Sequence, residues 1–415
     1  MTLEILQWGL LAFFLVPLVE MALLIVGVAW AQFAYKKAPP GKYQHLVLQI
    51  TTVGDEPDLV RKTVEKIRSY RLTIPYEIWV VIEPHKVTDY RRADRVFVVP
   101  RNFACKAIDK ARALEYSRVM RQFLNLNRRE VKVLLIDDDT LPSKTYIEKA
   151  FYADYDICQG VTVPNRWYGG VSVKHFFLSH LDNIRTRNCL VYCSVSQGLL
   201  QKPLFVHGEG LCFTGAAEET ITWNRPIVAS DDLVFGTNAA HLGFSWGFFL
   251  GAVQLVSPWR FRDSLTQRRR WTWGNLTAIW RRDIMPLEYA IPKAAKYLFG
   301  FISTTCSATG AVLTLRGIAK IPPQAHVVFW CSLACWILSY ALCGFINSGG
   351  EPNRERIPEW YNYWGFRILQ TFAAAVLTPI VAISPVLVIS YAILRGRPRR
   401  FMMIPKSQPV QRRNQ

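Results

Sequence analysis

A chain of 415 residues has room for two domains, and its apolar residues, 51% of the whole, concentrate at the two ends. The formal charge is +19, from 50 Lys and Arg against 31 Asp and Glu. Because that excess lies beside apolar runs, it argues against nucleic acid and for two other partners, anionic membrane lipid and a phosphorylated substrate. Each basic residue near an anionic leaflet adds about 1 kcal/mol.

In chain order, Trp8 to Trp30 is almost wholly apolar, broken by Glu20 beside Pro17, and long enough to cross a bilayer. No basic n-region precedes it, which argues against a secretory signal. Lys36 and Lys37 follow it and only Glu4 is charged before it. Positive-inside bias then sets the N-terminus outside and the next domain in the cytoplasm. We expect residues 1–38 to form a transmembrane helix and its flank.

Beyond Pro39-Pro40-Gly41 the pattern becomes strand, helix, strand, helix, strand, which indicates a mostly parallel α/β sheet. Strands are expected at His45–Ile50, Tyr76–Ile82, Val96–Pro100 and Val133–Ile136, with helices at Asp58–Arg71 and Cys105–Phe123. Ligands collect outside the carboxyl ends of such strands, so Thr52, Gly54, Glu83 and Asp137 should share one rim. The strand Val133–Ile136 ends in Asp137-Asp138-Asp139. Alternation points Asp137 and Asp139 one way and Asp138 the other. Paired carboxylates suit Mg²⁺ or Mn²⁺ together with a diphosphate, and an acidic turn is the plain alternative. Neither GxGxxG nor Walker A occurs, which argues against dinucleotide cofactors and P-loop hydrolysis.

After Thr140 a strand is expected at Asp156–Val163 and a helix at Ser172–Tyr192. The nine cysteines are scattered, without CxxC. Cys189 and Cys193 have no histidine at ligand spacing, which argues against zinc. Gln201–Gly215 is glycine-rich around an apolar strand, as a close backbone approach to a ligand or a plain hairpin would require. His207, within it, reads as a structural histidine. Ser230-Asp231-Asp232 opens a helix to His241, where either aspartate could serve only as a cap. Gln267-Arg268-Arg269-Arg270-Trp271 lies in a further helix, whose basic residues fit a membrane-surface face.

The last third is membrane-like. Tyr297–Leu315, His326–Ile346 and Phe366–Leu394 are each long enough to span, the last interrupted by Pro379 and Pro385. Three crossings from the cytoplasm would leave the basic tail, residues 395–415, outside. Its arginines favour the inside, so one segment is expected not to cross. The chain thus divides into 1–38, a catalytic domain over 43–275, interfacial and transmembrane helices over 276–394, and the tail.

The order Asp137-Asp138-Asp139, Ser230-Asp231-Asp232 and Gln267-Arg268-Arg269-Arg270-Trp271 beside membrane spans resembles the membrane-integrated, inverting family-2 glycosyltransferases, which include cellulose and hyaluronan synthases. A closer resemblance, to egghead-type β-1,4-mannosyltransferases, rests on Thr52–Val60, Lys110–Leu114, Gln159-Gly160, Lys202–Phe205 and the last two of those motifs. Val53 and Asp231 depart from that family's arginine and glutamate. Arg400–Lys406 is similar to the gating loop of the processive synthases.

The resemblance implies a GT-A fold and a nucleotide-sugar donor, GDP-mannose or a UDP-hexose. A hexose would pass to a lipid-linked or glycan acceptor with inversion, on the cytoplasmic side of a membrane. It gives Asp139 as the Mg²⁺ or Mn²⁺ ligand, with Asp137 beside it. Asp232 would be the base, with Asp231 second; Arg270 would hold the leaving phosphates, Trp271 would stack on the acceptor sugar or close the donor pocket, and Gln267 opens the same catalytic motif. Thr52, Gly54, Glu83, Lys110, Arg112, Asp137 and Asp138 would contact the nucleotide. The alternatives are a processive polysaccharide synthase, separable by product length, and a non-catalytic nucleotide-binding membrane protein, which unchanged turnover in Asp232→Asn would favour.

Overall fold

The computed structural model describes residues 2–83, 89–165, 178–180, 182–227, 229–317, 323–349 and 359–397. An N-terminal helix α1 (Thr2–Phe33) leads into β1 (His45–Thr52), α2 (Pro57–Ser69), β2 (Tyr76–Ile82), β3 (Arg95–Val98), α3 (Asp109–Phe123) and β4 (Val131–Asp137). Then come β5 (Thr140–Pro142), α4 (Lys144–Tyr152), β6 (Ile157–Asn165), α5 (Asn183–Asn188) and a π-helix (Cys189–Leu199). The rest is β7 (Cys212–Thr214), α6 (Gly215–Ile221), α7 (Asp231–His241), β8 (Trp246–Val256), α8 (Phe261–Trp280), α9 (Leu287–Leu315), α10 (Pro323–Ser348) and α11 (Trp360–Arg395).

The strands form one sheet in the order β3-β2-β1-β4-β7-β6-β8-β5. β1 pairs in parallel with β2 and β4, and β2 with β3. β7 runs antiparallel to both β4 and β6, and β8 pairs in parallel with β6. Strands covered on both faces must be apolar throughout. Accordingly Leu46, Val47, Leu48 and Ile50 in β1 and Val133 and Leu134 in β4 have no exposed surface. Register sets Thr51 opposite Asp137 and Thr52 opposite Ile82. The amide of Glu83 donates to the carbonyl of Thr52 at 2.9 Å. One rim therefore gathers the ends of β1, β2 and β4. This is the mostly parallel α/β sheet expected.

Several boundaries differ from expectation. α3 begins at Asp109, not Cys105. The amide of Lys106 donates to Asn224 Oδ1 at 2.5 Å, and Asp109 has φ +52°. These hold 105–108 as a loop. The Ser172–Tyr192 helix lies partly outside the described residues. Within them, α5 runs into a π-helix that continues to Leu199. In Gln201–Gly215 only Cys212–Thr214 is strand.

Among the described residues two stretches are long and apolar enough to cross a membrane, Phe14–Phe33 and His326–Ser348. Only 17% and 28% of their apolar windows are buried, unlike the core helix of a soluble domain. Tyr297–Leu315 and Phe366–Leu394 lie within α9 and α11. Residues 398–415, with the gating-loop resemblance at Arg400–Lys406, are outside the described residues. α5 fastens both apolar helices to the sheet domain. Arg187 donates from Nε to Ser339 Oγ at 2.9 Å and from its other end to Glu20. Thr186 donates to Asn347 Oδ1 at 2.7 Å. Glu20, which looks like a break in the first apolar run, is the partner of an arginine from the sheet domain.

Candidate active site

β4 ends at Asp137, and the next two aspartates turn away from the strand line. Asp137 Oδ1 accepts from Lys110 Nζ, on the first turn of α3, at 2.5 Å. Asp138 Oδ2 accepts from Thr52 Oγ1 at 3.3 Å, and the same hydroxyl takes the amide of Gly54 at 3.0 Å. Gly54 has φ +85°, a conformation that admits glycine without strain. Asp139 is buried, and its carbonyl accepts from Val256 at 3.1 Å. On the neighbouring rim Arg112 forms an ion pair with Glu83.

The second acidic group arrives on α7. Ser230 precedes the helix with φ +66°, an uncommon conformation for a side-chain-bearing residue, and Asp232 Oδ1 accepts from the amide of Leu233 at 2.8 Å. α8 lies against this turn because residue 274 is glycine: a Cβ there would stand 2.6 Å from Ser230 Oγ and 2.9 Å from Ala229 Cβ. On α8, Gln267 and Arg268 are buried. Arg268 faces Asp182 at 3.6 Å, and Arg269 donates to the carbonyls of Arg395 and Gly396 at 2.7 and 2.8 Å. The basic face expected to lie on a membrane surface is thus turned inward at 268 and 269. Arg260, Arg262 and Arg282 remain exposed.

The two acidic groups meet around Gly208. A Cβ on that glycine would lie 2.8 Å from Lys110 Nζ and 3.7 Å from Asp232 Oδ2. Sequence reading missed two members of this cleft. Glu209 accepts from Arg185 Nη1 at 2.9 Å, and the Arg185 guanidinium sits 4.3 Å from the centre of the Trp271 ring. The only sequence signal for Glu209 is its position between Gly208 and Gly210.

Electrostatics follow from this crowding. Burial raises the Asp232 carboxyl to about 7, with Asp231 and Glu209 adding to it and Lys110 opposing. Burial also raises Asp137; Lys110 pulls it back, while Glu209 and Asp139 add to the rise. Burial would raise Glu209 too, but Arg185, His207 and Lys110 outweigh it and hold it at about 2. Burial depresses Arg270 against the attraction of Asp137, Asp231 and Glu209. The carboxylates of Asp137, Asp139, Asp231, Asp232 and Glu209 thus act on Lys110, Arg185 and Arg270 within one cleft. The donor set is hard oxygen and its charge is net negative, which fits a divalent cation of the Mg²⁺ or Mn²⁺ kind.

Residues 132–342 match the model for glycosyl transferase family group 2. The chain is 23% identical over 388 residues to the β-1,4-mannosyltransferase egh of Drosophila melanogaster, covering 90% of this chain and 80% of that one. It is 24% identical over 281 residues to the β-1,4-mannosyltransferase bre-3 of Caenorhabditis elegans, covering 65% of this chain and 60% of that one. Among solved structures it is similar to the mannosyltransferase PcManGT of Pyrobaculum calidifontis in complex with GDP-Man and Mn²⁺. That match has a TM-score of 0.49 and 16% identity, and covers 90% of this chain and 98% of that one.

Proposed function

The chain belongs to glycosyl transferase family group 2, and from that premise we propose that it transfers mannose from a nucleotide diphosphate sugar to the hydroxyl of a membrane-held acceptor, with inversion. The choice of mannose and of a β-linkage is supported by the likeness to two β-1,4-mannosyltransferases. A lipid-linked or glycan acceptor near a membrane is supported by two apolar helices tied to the sheet domain through Arg187 and Thr186, and the cytoplasmic side by Lys36 and Lys37 directly after the first of them. The domain division at 38, 43–275 and 276–394 is retained as part of the proposal.

One observation carries the reading: Asp232, a half-buried carboxyl raised to about 7, opens onto the same glycine as the Lys110–Asp137 pair. A base is most effective when its pKa lies near the working pH. Asp232 takes the acceptor hydroxyl proton as the new bond to the anomeric carbon forms. Asp231, next to it, raises its basicity. Asp139 and Asp137 would hold the divalent cation, which supplies Lewis-acid neutralisation of the leaving diphosphate. Arg270 and Lys110 add fixed positive charge where negative charge develops. Thr52, Gly54 and Asp138, with the Glu83–Arg112 pair, form the rim for base and ribose. Trp271, backed by Arg185, offers a ring face to the acceptor sugar, and buried Gln267 steadies that part of α8.

The test is transfer by the full chain in lipid nanodiscs, with a panel of nucleotide sugars, Mn²⁺ or Mg²⁺, and extracted membrane lipid as acceptor. A single added mannose from GDP-mannose is expected. Transfer of another sugar only, or a ladder of products, would overturn the donor or the single-addition part respectively.

A further inference from the structure

The best-formed unassigned site lies behind the cleft. Cys189 and Cys193 are one turn apart on the π-helix, so both thiols leave the same face. The loop 200–211 brings His207 back onto them, fourteen positions after Cys193. The three ligand atoms lie within 4.8 Å of one another, and both cysteines are buried. Lack of a histidine at short spacing, which argued against zinc in the sequence, is therefore overcome by the fold. Cys193 Sγ and His207 Nε2 are 3.6 Å apart. Tetrahedral zinc holds sulfur at about 2.3 Å and nitrogen at about 2.0–2.1 Å, which sets those two corners about 3.6 Å apart. The amide of Thr162 donates to Cys189 Sγ at 3.5 Å, the outer hydrogen bond that steadies a ligating thiolate. π-helical turns themselves concentrate at functional sites.

We propose that Cys189, Cys193 and His207 bind a thiophilic divalent cation of the zinc class. Two thiol protons leave to solvent as the cation enters, so two thiolates and one dication make a neutral buried group, which costs far less than a lone buried charge. Three protein ligands leave a fourth corner for water. The consequence for the cleft is positional. His207 would be fastened to the π-helix, the next residue Gly208 abuts Lys110 and Asp232, and Glu209 beyond it pairs with Arg185. The cation thus holds down the strip of backbone that forms the wall between the two acidic groups.

The experiment uses the full chain, expressed with zinc in the medium and purified in detergent without chelator. Elemental mass spectrometry should find one zinc per chain, and exchange for Co²⁺ should produce a thiolate-to-cobalt charge-transfer band, which carboxylate ligands do not give. Both should vanish in Cys189→Ser/Cys193→Ser. Zinc that persists in that double variant belongs to the carboxylates and overturns the proposal. The wild-type readings stand without the variant: background zinc with no cobalt band, or a Cys189–Cys193 disulfide in freshly prepared protein, overturns it as well.

Discussion

Lys110 Nζ lies 2.5 Å from Asp137 Oδ1, and its charge also acts on Asp232 across Gly208. One ammonium therefore serves both acidic groups, although 122 positions separate Lys110 from Asp232 on the chain. Replacing it with methionine keeps the length and removes the charge. Lys110→Met should lower kcat/KM about 10²-fold, the usual loss for one preorganised charge. It should also move the acid limb of the pH profile upward, because Lys110 opposes the rise of the Asp232 carboxyl. A drop in rate with an unmoved limb would separate Lys110 from Asp232.

Asp232 sets the second expectation. With its carboxyl at about 7, the ionised base accumulates as pH rises through 7, so kcat/KM should climb there and level off above. Asp232→Asn should lower turnover by about 10²–10⁴-fold, the range for loss of a general base. The sign for stability is opposite. The folded carboxyl has a higher pKa than the unfolded one, so its contribution is full below about 3.9 and lost as pH rises through 7. Asn avoids burying that charge, and thermal unfolding at pH 8 should show the variant at least as stable as the parent. A variant that is inactive and also markedly less stable at pH 8 would make Asp232 a structural group.

The acidic rim leads to a prediction about metal. Asp139 is buried beside Asp137 in a cleft with more negative than positive side chains, and a dication relieves that excess. Donor binding measured by calorimetry should disappear on removal of Mn²⁺ and Mg²⁺ and return when either is restored. Asp139→Ala should abolish metal-dependent binding while leaving the unfolding temperature within a few degrees. Full transfer in the presence of chelator would rule out the assignment.

How far the sequence reveals this arrangement depends on whether a feature is local. β1, β2 and β4 are legible because continuous apolar runs end in polar rims, and α7 because Ser230 leads into two aspartates that open an apolar helix. The π-helix is not legible. Its i→i+5 hydrogen bonding leaves Cys189–Leu199 looking like any apolar helix, so the convergence of both thiols with His207 has no local sign. Glu209 and Arg185 escape for a similar reason: they pair across 24 positions, and no spacing announces that. The apolar strand expected within Gln201–Gly215 narrows to the three residues of the antiparallel β7, which β4 and β6 hold in the sheet. Arg268 and Arg269 read as surface charge until Asp182 and the end of α11 are seen to meet them.

Beneath the sheet a buried pair tests stability without touching the cleft. Arg121 and Glu218 are almost fully enclosed, with Nε–Oε2 at 2.9 Å and Nη2–Oε1 at 2.5 Å. Trp223 Nε1 also donates to Glu218 at 2.8 Å. Removing one member of such a pair strands the other, at about 3–5 kcal/mol, whereas removing both costs much less. Arg121→Leu should therefore unfold at clearly lower denaturant than the parent, and Arg121→Leu/Glu218→Leu should recover part of the loss. Burial raises the Glu218 carboxyl, so the single variant should recover stability as pH falls and Glu218 becomes neutral. Equal stability of single and double variants would mean the pair is not coupled.

Gly208 offers the sharpest separation of activity from stability. Its φ is not in the left-handed region, so alanine suits the backbone. The added methyl would nevertheless stand 2.8 Å from Lys110 Nζ. That atom is the free end of a flexible side chain, so the lysine swings aside and the backbone holds. The displaced ammonium leaves Asp137 and its influence on Asp232 weakens. Misplacement by about 1 Å of a catalytic charge can cost up to about 10²-fold. Gly208→Ala should thus reduce kcat by about 10-fold or more with an unchanged unfolding temperature. Gly247→Ala, whose methyl would meet the Tyr155 ring at 2.1 Å, should instead lose stability. If Gly208→Ala turned over at the parental rate, Lys110, Asp137 and Asp232 could not be acting across that glycine.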